Sequence, residues 1–219
     1  MSLLEPPRPA LEPALEKQRV ELADLIFRHA PQDGSFTTGV DALFVSRHSH
    51  PSDFAPSLPK PALCIMAQGR KEVRLADEYF AYDPLNYLVV SVSMPISGRV
   101  LEHPVLALRL DIDPVEITTL ISDAVFLGVP SRPTGRGLYV EPIDQPMLDA
   151  VLRLTRLLDT PKDIAMLAPL IRREILYRLL RSPQGYRLYE IASQNSFCRV
   201  IFSPRNNAAG PTSMNGCTL

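Results

Sequence analysis

Three cysteines in 219 residues, Cys64, Cys198 and Cys217, are too few and too scattered for a disulfide framework or a zinc cluster. An excess of one charge is missing too. With 23 Lys and Arg against 24 Asp and Glu, the formal net charge is −1, so the chain lacks the positive balance of a self-sufficient nucleic-acid binder. No apolar run approaches the roughly 20 residues needed to span a bilayer. The opening MSLLEPPRPALEPALEK has no basic flank followed by an apolar core, so the cytoplasm is the expected compartment. Enzyme signatures are absent as well: there is no Gly-x-Ser-x-Gly elbow, no Gly-x-Gly-x-x-Gly after a strand and no P-loop. An enzyme would have no anchor residue here, and no cofactor is expected.

What is present suits a globular protein with a sizeable core: 46% of the residues are hydrophobic and 21% charged. The 22 prolines are roughly twice the usual share, and most fall where strands turn or helices begin. From Leu63 to Gln68 the side chains alternate, with Leu63, Ile65 and Ala67 on one face and Cys64, Met66 and Gln68 on the other. Cys64 is expected as a small buried apolar residue on this strand. Gly69 permits a sharp change of direction. Lys71 to Leu75 alternate again, Ala76-Asp77-Glu78 offers a turn, and Tyr79 to Tyr82 a short strand. Asp83-Pro84-Leu85-Asn86 is a turn by its chemistry, because proline pre-sets φ while Asp and Asn bond nearby backbone. Tyr87 to Ser93 is rich in β-branched and aromatic residues, and Val100 to Asp111 alternates once more. Short strands separated by turns about every dozen residues predict an antiparallel sandwich or barrel.

Helices are predicted around these strands. Leu15 to His29 has apolar Leu15, Leu22, Leu25 and Ile26, with acids at its start and Arg28 at its end. Asp113-Pro114-Val115-Glu116 combines a cap, a first-position proline and a glutamate three residues after the cap, predicting a helix to about Phe126. Asp144-Gln145-Pro146 opens another, with Leu148, Val151, Leu152, Thr155 and Leu158 on one face. Lys162 to Leu180 carries Ile164, Leu167, Ile171, Ile175, Leu176 and Leu179, with Pro169 as a point of restart. Gly128 to Pro142 is expected as an exposed loop. Arg172, Arg173, Arg178, Arg181 and Arg187 are taken as a solvated helix face rather than a phosphate site. The fold class is α+β: an antiparallel barrel or sandwich followed by a C-terminal helical layer.

Two histidines bear on metal chemistry. His48-Ser49-His50 has a strand's i, i+2 spacing, so both rings could reach one ion if the strand continued. No glutamate follows within a few residues, the next segment is broken by proline, and the only downstream histidine, His103, lies in the turn-like LEHPVL. A small metallo-cupin using His48, His50 and His103 is thus an alternative, while no metal site is expected.

The run LCIMAQGRKEVRL, then EYFAYDPLNYLVVSVSMPISGRVLE, then LALRLDIDP resembles the N-terminal effector domain of AraC-type bacterial transcription regulators in order and spacing. Further on, LAPLIRREILYRLLRSPQGYRLYEIA resembles that family's helical segment before its DNA-binding half. The resemblance spans roughly Val20 to Ala192. It implies a cupin-like barrel that senses a small effector, a helical segment that pairs subunits, and DNA binding through a C-terminal pair of helix-turn-helix units. That last part departs from the pattern, because from Ser203 onward Ser, Pro, Asn, Gly, Thr and Ala dominate. The expectation is a truncation, a frameshift near Ser193 or a foreign tail, leaving a sensor that forms a homodimer and reaches DNA only in a full-length relative.

The expected organisation is a flexible 1–13, a barrel with its entry helix over 14–112, a helical dimerisation segment over 113–192 and an irregular tail over 193–219. Candidate contacts to an unknown small-molecule effector are the mixed strand faces: Met66 and Gln68, Tyr87, Val89 and Ser91, and Arg109 with Asp111. Alternation alone does not say which face points inward, and core packing for Tyr87 and Met66, or a solvated face for Arg109 and Asp111, competes with ligand contact. A purely structural dimerisation module, using the helices from Asp144 to Arg181, is a third reading.

Overall fold

The computed structural model describes residues 12–123 and 137–188. Eight strands form one antiparallel sheet: β1 (Gly34–Thr37), β2 (Leu43–His48), β3 (Ala55–Ser57), β4 (Ala62–Leu75), β5 (Glu78–Tyr82), β6 (Asn86–Val90), β7 (Ile96–Asp111) and β8 (Leu138–Pro142). The pairing path runs β1-β2-β7-β4-β6-β8, with β3 added to β7 and β5 to β4. Four helices accompany it: α1 (Pro13–His29), α2 (Pro114–Asp123), α3 (Gln145–Arg156) and α4 (Ile164–Arg181). The α+β class and the antiparallel architecture agree with the sequence.

The two long strands β4 and β7 organise the sheet, and Gly69 governs how they meet. Gly69 does not end its strand, as a turn would; β4 continues through it to Leu75. The residue sits at φ +84°, and a Cβ there would lie 2.7 Å from the Glu102 carbonyl oxygen and 2.8 Å from that of Pro104. Only glycine tolerates both the conformation and the approach. Around it the β4–β7 register slips between Met66 and Lys71, a bulged region that bends the ladder. The slip changes which parity faces inward: Cys64 and Met66 before it, Val73 and Leu75 after it, join one apolar cluster.

That cluster is one of two. The inner face gathers Met66, Val73, Tyr82, Leu88, Val90, Val100, Val105, Ala107 and Leu138. The opposite face carries Leu63, Ile65, Ala67, Tyr87, Val89, Leu106, Leu108, Leu110 and Tyr139, and packs with the helices in a larger core. Leu22 and Ile26 of α1 are fully buried there, each worth about 1.5–3 kcal/mol of apolar burial. Polar ties fix the layers: Arg19 of α1 donates to the Ala67 carbonyl at 2.7 Å, and Arg156 of α3 grips Glu21 of α1.

Local chemistry explains the element ends. Asp144 caps α3 by accepting from the Met147 amide at 2.9 Å, and Asp113 accepts from Val115 at the start of α2. The Asp83 carboxylate accepts from the Leu85 amide at 2.9 Å and holds the β5–β6 turn. Leu148, Val151, Leu152 and Thr155 are all buried, as their spacing predicts, while Leu158 lies past the helix in a 3-10 turn and is half-buried. The predicted end of α2 at Phe126 lies outside the described residues.

Four expectations need correction. Helix α4 runs through Pro169 without restarting, since losing one i→i−4 bond costs less than breaking a helix that buries Ala168, Ile171 and Ile175. Leu167, expected in the buried stripe, is 43% exposed. The end of the expected loop is strand β8, which pairs with β6 from Asn86↔Pro142 to Val90↔Leu138. Arg172 does not belong to a solvated face. It is buried, donating to the Asp41 carbonyl at 2.7 Å and to Glu116 at 2.8 Å, and so ties α4 to the β1–β2 connection and to α2.

Candidate functional site

The residues expected to contact an effector divide between the two faces of the sheet. Met66 lies in the inner cluster, and Arg109 is on the same face through its pairing with Cys64 and Phe44. Tyr87 and Val89 point the other way, into the core shared with the helices. Gln68 is half-buried at the bulge opposite Leu106. Ser91 is buried just beyond β6, its amide bonded to the Gly137 carbonyl at 2.7 Å and its hydroxyl without a partner. Period-two alternation on three strands therefore selected residues from two different environments.

Across β2, β7, β4, β6 and β8 the inner face presents a row of Phe44, Arg109, Cys64, Leu88 and Val140. The Arg109 guanidinium lies 4.2 Å from the Phe44 ring centroid and pairs with Asp111 at 2.9 Å. Cys64 is half-buried rather than fully buried, yet the apolar surroundings push its thiol up to about 11. Lys71 faces the same interior after the bulge, and desolvation lowers its pKa. These groups belong to a packed, mainly apolar interior.

A cavity of about 370 Å³ opens instead where β6 and β8 meet the N-terminal end of α3 and the C-terminal end of α4. Its walls are Tyr87, Glu141, Asp144, Tyr177, Arg181 and Ser182, with Met147 and Arg178 beside them. Glu141 is the central group: it is 4% exposed, accepts the Tyr87 hydroxyl at 2.6 Å and accepts the Gln184 amide at 2.6 Å. Burial and this carboxylate raise the Tyr87 phenol well above the ordinary tyrosine range. Beyond it, Gln184 donates to the Val140 carbonyl, and Arg187 donates to the Leu138 carbonyl while lying over the Tyr139 ring. The segment after α4 is thus fastened along β8. Of the wall residues only Tyr87 was legible as a candidate. Glu141 lies in a stretch that resembles a loop, and Ser182 follows the last helical residue; a tyrosine and a glutamate in two short apolar runs were the only available signal.

The histidines do not converge. Strand β2 ends at His48, so His50 lies beyond the pleat and is exposed, which removes the shared face that their spacing requires. His103 is exposed on β7. Desolvation, then Lys71, lowers the His48 pKa. Among the described residues no group of three or more His, Cys, Asp or Glu is disposed to hold a metal ion, and no helix is long and apolar enough to cross a membrane.

Residues 39–187 match the family of the AraC-type transcriptional regulator N-terminus. This is more than half of the chain, and the protein belongs to that family. In solved structures the chain is similar to apo ToxT K231A from Vibrio cholerae strain SCE256, with a TM-score of 0.50 and 7% identity over 78% of this chain and 68% of that one. It is also similar to the AraC-like transcriptional activator CuxR, with a TM-score of 0.43 and 10% identity, spanning 74% of this chain and 64% of that one. At this identity the ToxT likeness concerns the fold. No curated protein matches the chain.

Proposed function

We propose that this chain is the effector-sensing and dimerisation portion of an AraC-type transcription regulator, acting in the cytoplasm and not as an enzyme. The observation that carries the reading is the family match over 39–187 on a sheet-and-helix fold that holds a lined cavity beside its C-terminal helix. A pocket of this size accommodates a small metabolite.

Dimerisation is supported by the outer surface of the helical layer. Met166 is 75% and Leu170 64% exposed on α4, and Val115 of α2 is 49% exposed. Large apolar side chains left in water on one helix face favour a partner. Homodimer formation through the helices between Asp144 and Arg181 is the simplest such pairing.

DNA recognition is not proposed for the described residues. A net charge of −1 provides little of the phosphate attraction on which affinity rests. Residues 193–219, expected to form an irregular tail, lie outside the described residues.

Thermal-shift screening against a metabolite library tests sensing, since a ligand of the folded state must raise its apparent stability. Sedimentation velocity with and without hits tests dimerisation. A monomer at every concentration, with no metabolite raising Tm, would remove the reading.

A further inference from the structure

We propose that the cavity at the end of α4 binds a small molecule carrying an ammonium group with an anionic group beside it, as in an amino-acid zwitterion. The proposal rests on the sensor reading and names the ligand class and the site.

The charge distribution at the cavity selects the ammonium. Glu141 is buried, and its carboxylate has a phenol and a backbone amide as partners but no Lys, Arg or His in ion-pair contact among the described residues. A buried carboxylate without a counter-ion is costly, and a bound cation offsets that cost. Two further features have the same sign. The Asp144 carboxylate lines the cavity, with one oxygen held by the Met147 amide at the N-terminus of α3. Helix α4 also ends here, at Arg181 and Ser182, so its negative pole adds to the potential. The Ser182 hydroxyl is buried beside the Tyr87 phenol without a hydrogen bond of good geometry, leaving one polar group to be satisfied. Tyr87 and Tyr177, side chains of a type that can attract a cation, are among the lining residues.

Arginines on the same wall select the second group. Arg178 is committed to Glu174, with contacts of 2.7 and 3.0 Å. Arg181 is exposed and forms no ion pair among the described residues, so its guanidinium is available to an anion at the rim. A ligand spanning the two ends sets its ammonium on Glu141 and its carboxylate or phosphate on Arg181. Because Glu141 also holds the Gln184 amide, occupancy is coupled to the segment that leaves α4.

Isothermal titration of the full chain tests the assignment with the proteinogenic amino acids, simple amines such as ethanolamine, carboxylates such as succinate, and neutral sugars. Saturable binding by one or more amino acids is expected, weaker binding by matched amines and none by carboxylates or sugars. Glu141→Gln should weaken amino-acid binding at least tenfold. Arg181→Ala, at an exposed position, should weaken amino acids and leave simple amines unchanged. If Glu141→Gln does not fold, Arg181→Ala and the ligand panel still decide. Binding confined to anionic or neutral compounds, or undiminished by these substitutions, overturns the ligand class while leaving the sensor reading intact. Absence of binding by every class to a chain that circular dichroism shows folded overturns both.

Discussion

Tyr87 and Glu141 stand opposite each other on adjacent strands β6 and β8, and the tyrosine hydroxyl donates to the carboxylate at 2.6 Å. The bond lies on the helix-facing side of the sheet, and the other carboxylate oxygen holds the Gln184 amide. A strand pair, a cavity wall and the exit from α4 therefore share one side chain.

Removing either partner should destabilise the fold. Tyr87→Phe leaves the buried carboxylate with one fewer donor, and a hydrogen bond to a charged group is worth roughly 1.5–3 kcal/mol. A double-mutant cycle of Tyr87→Phe with Glu141→Gln, read by urea denaturation, should give a coupling of at least about 1 kcal/mol. Additive single effects would show that the contact contributes nothing in solution.

Gly69→Ala should be among the most damaging single-methyl additions in the described chain. The new Cβ meets two backbone carbonyls below 3 Å at a φ of +84°, and these atoms cannot move without disturbing β7. A loss of about 2–4 kcal/mol is expected from conformational strain together with the clash. The midpoint of chemical denaturation reports it; a change below about 0.5 kcal/mol would mean the bulge relaxes.

Arg172→Met tests the buried guanidinium that joins α4 to Asp41 and Glu116. Both acceptors retain access to water, so the expected cost is about 1–3 kcal/mol, below that of stranding a fully buried charge. Arg172→Lys should recover little, because an ammonium cannot spread its donors over the two acceptors as a guanidinium does. Full rescue by lysine would argue against the bridging role.

Cys64 predicts an alkaline limb of stability. Its folded pKa of about 11 is raised above the ordinary value of 9.0, with burial the largest cause. A raised pKa means the neutral thiol is preferred by the fold, so this contribution is complete below pH 9 and disappears as pH rises towards 11. In a Cys198→Ser, Cys217→Ser background, thiol-reagent labelling of folded protein should be slow at pH 8 and accelerate above pH 10. Rapid labelling at pH 8, with the protein still folded, would contradict the shift.

Much of the fold was legible because it is written in local chemistry. Alternation at Leu63 to Gln68 and from Val100 to Asp111 marked β4 and β7, Asp113-Pro114 and Asp144 marked the starts of α2 and α3, and Asp83-Pro84 marked its turn. Local pattern failed where distant groups decide. Strand β8 is short and proline-ended, and it becomes a strand because β6 offers a ladder edge. Arg172 looks like a surface residue until Asp41 and Glu116 are brought against it.

The sequence by itself determined the types of the four helices and of the strands from β4 to β7, the α+β class and the family to which the order of motifs pointed, since these depend on periodicity, caps and turns within short stretches. Only the tertiary structure decided which parity of each strand faces inward, because the bulge at Gly69 reverses that parity midway along β4. It also decided the site: Tyr87, Glu141 and Ser182 lie far apart in the chain, and only pairing β6 with β8 and ending α4 beside them makes one cavity wall.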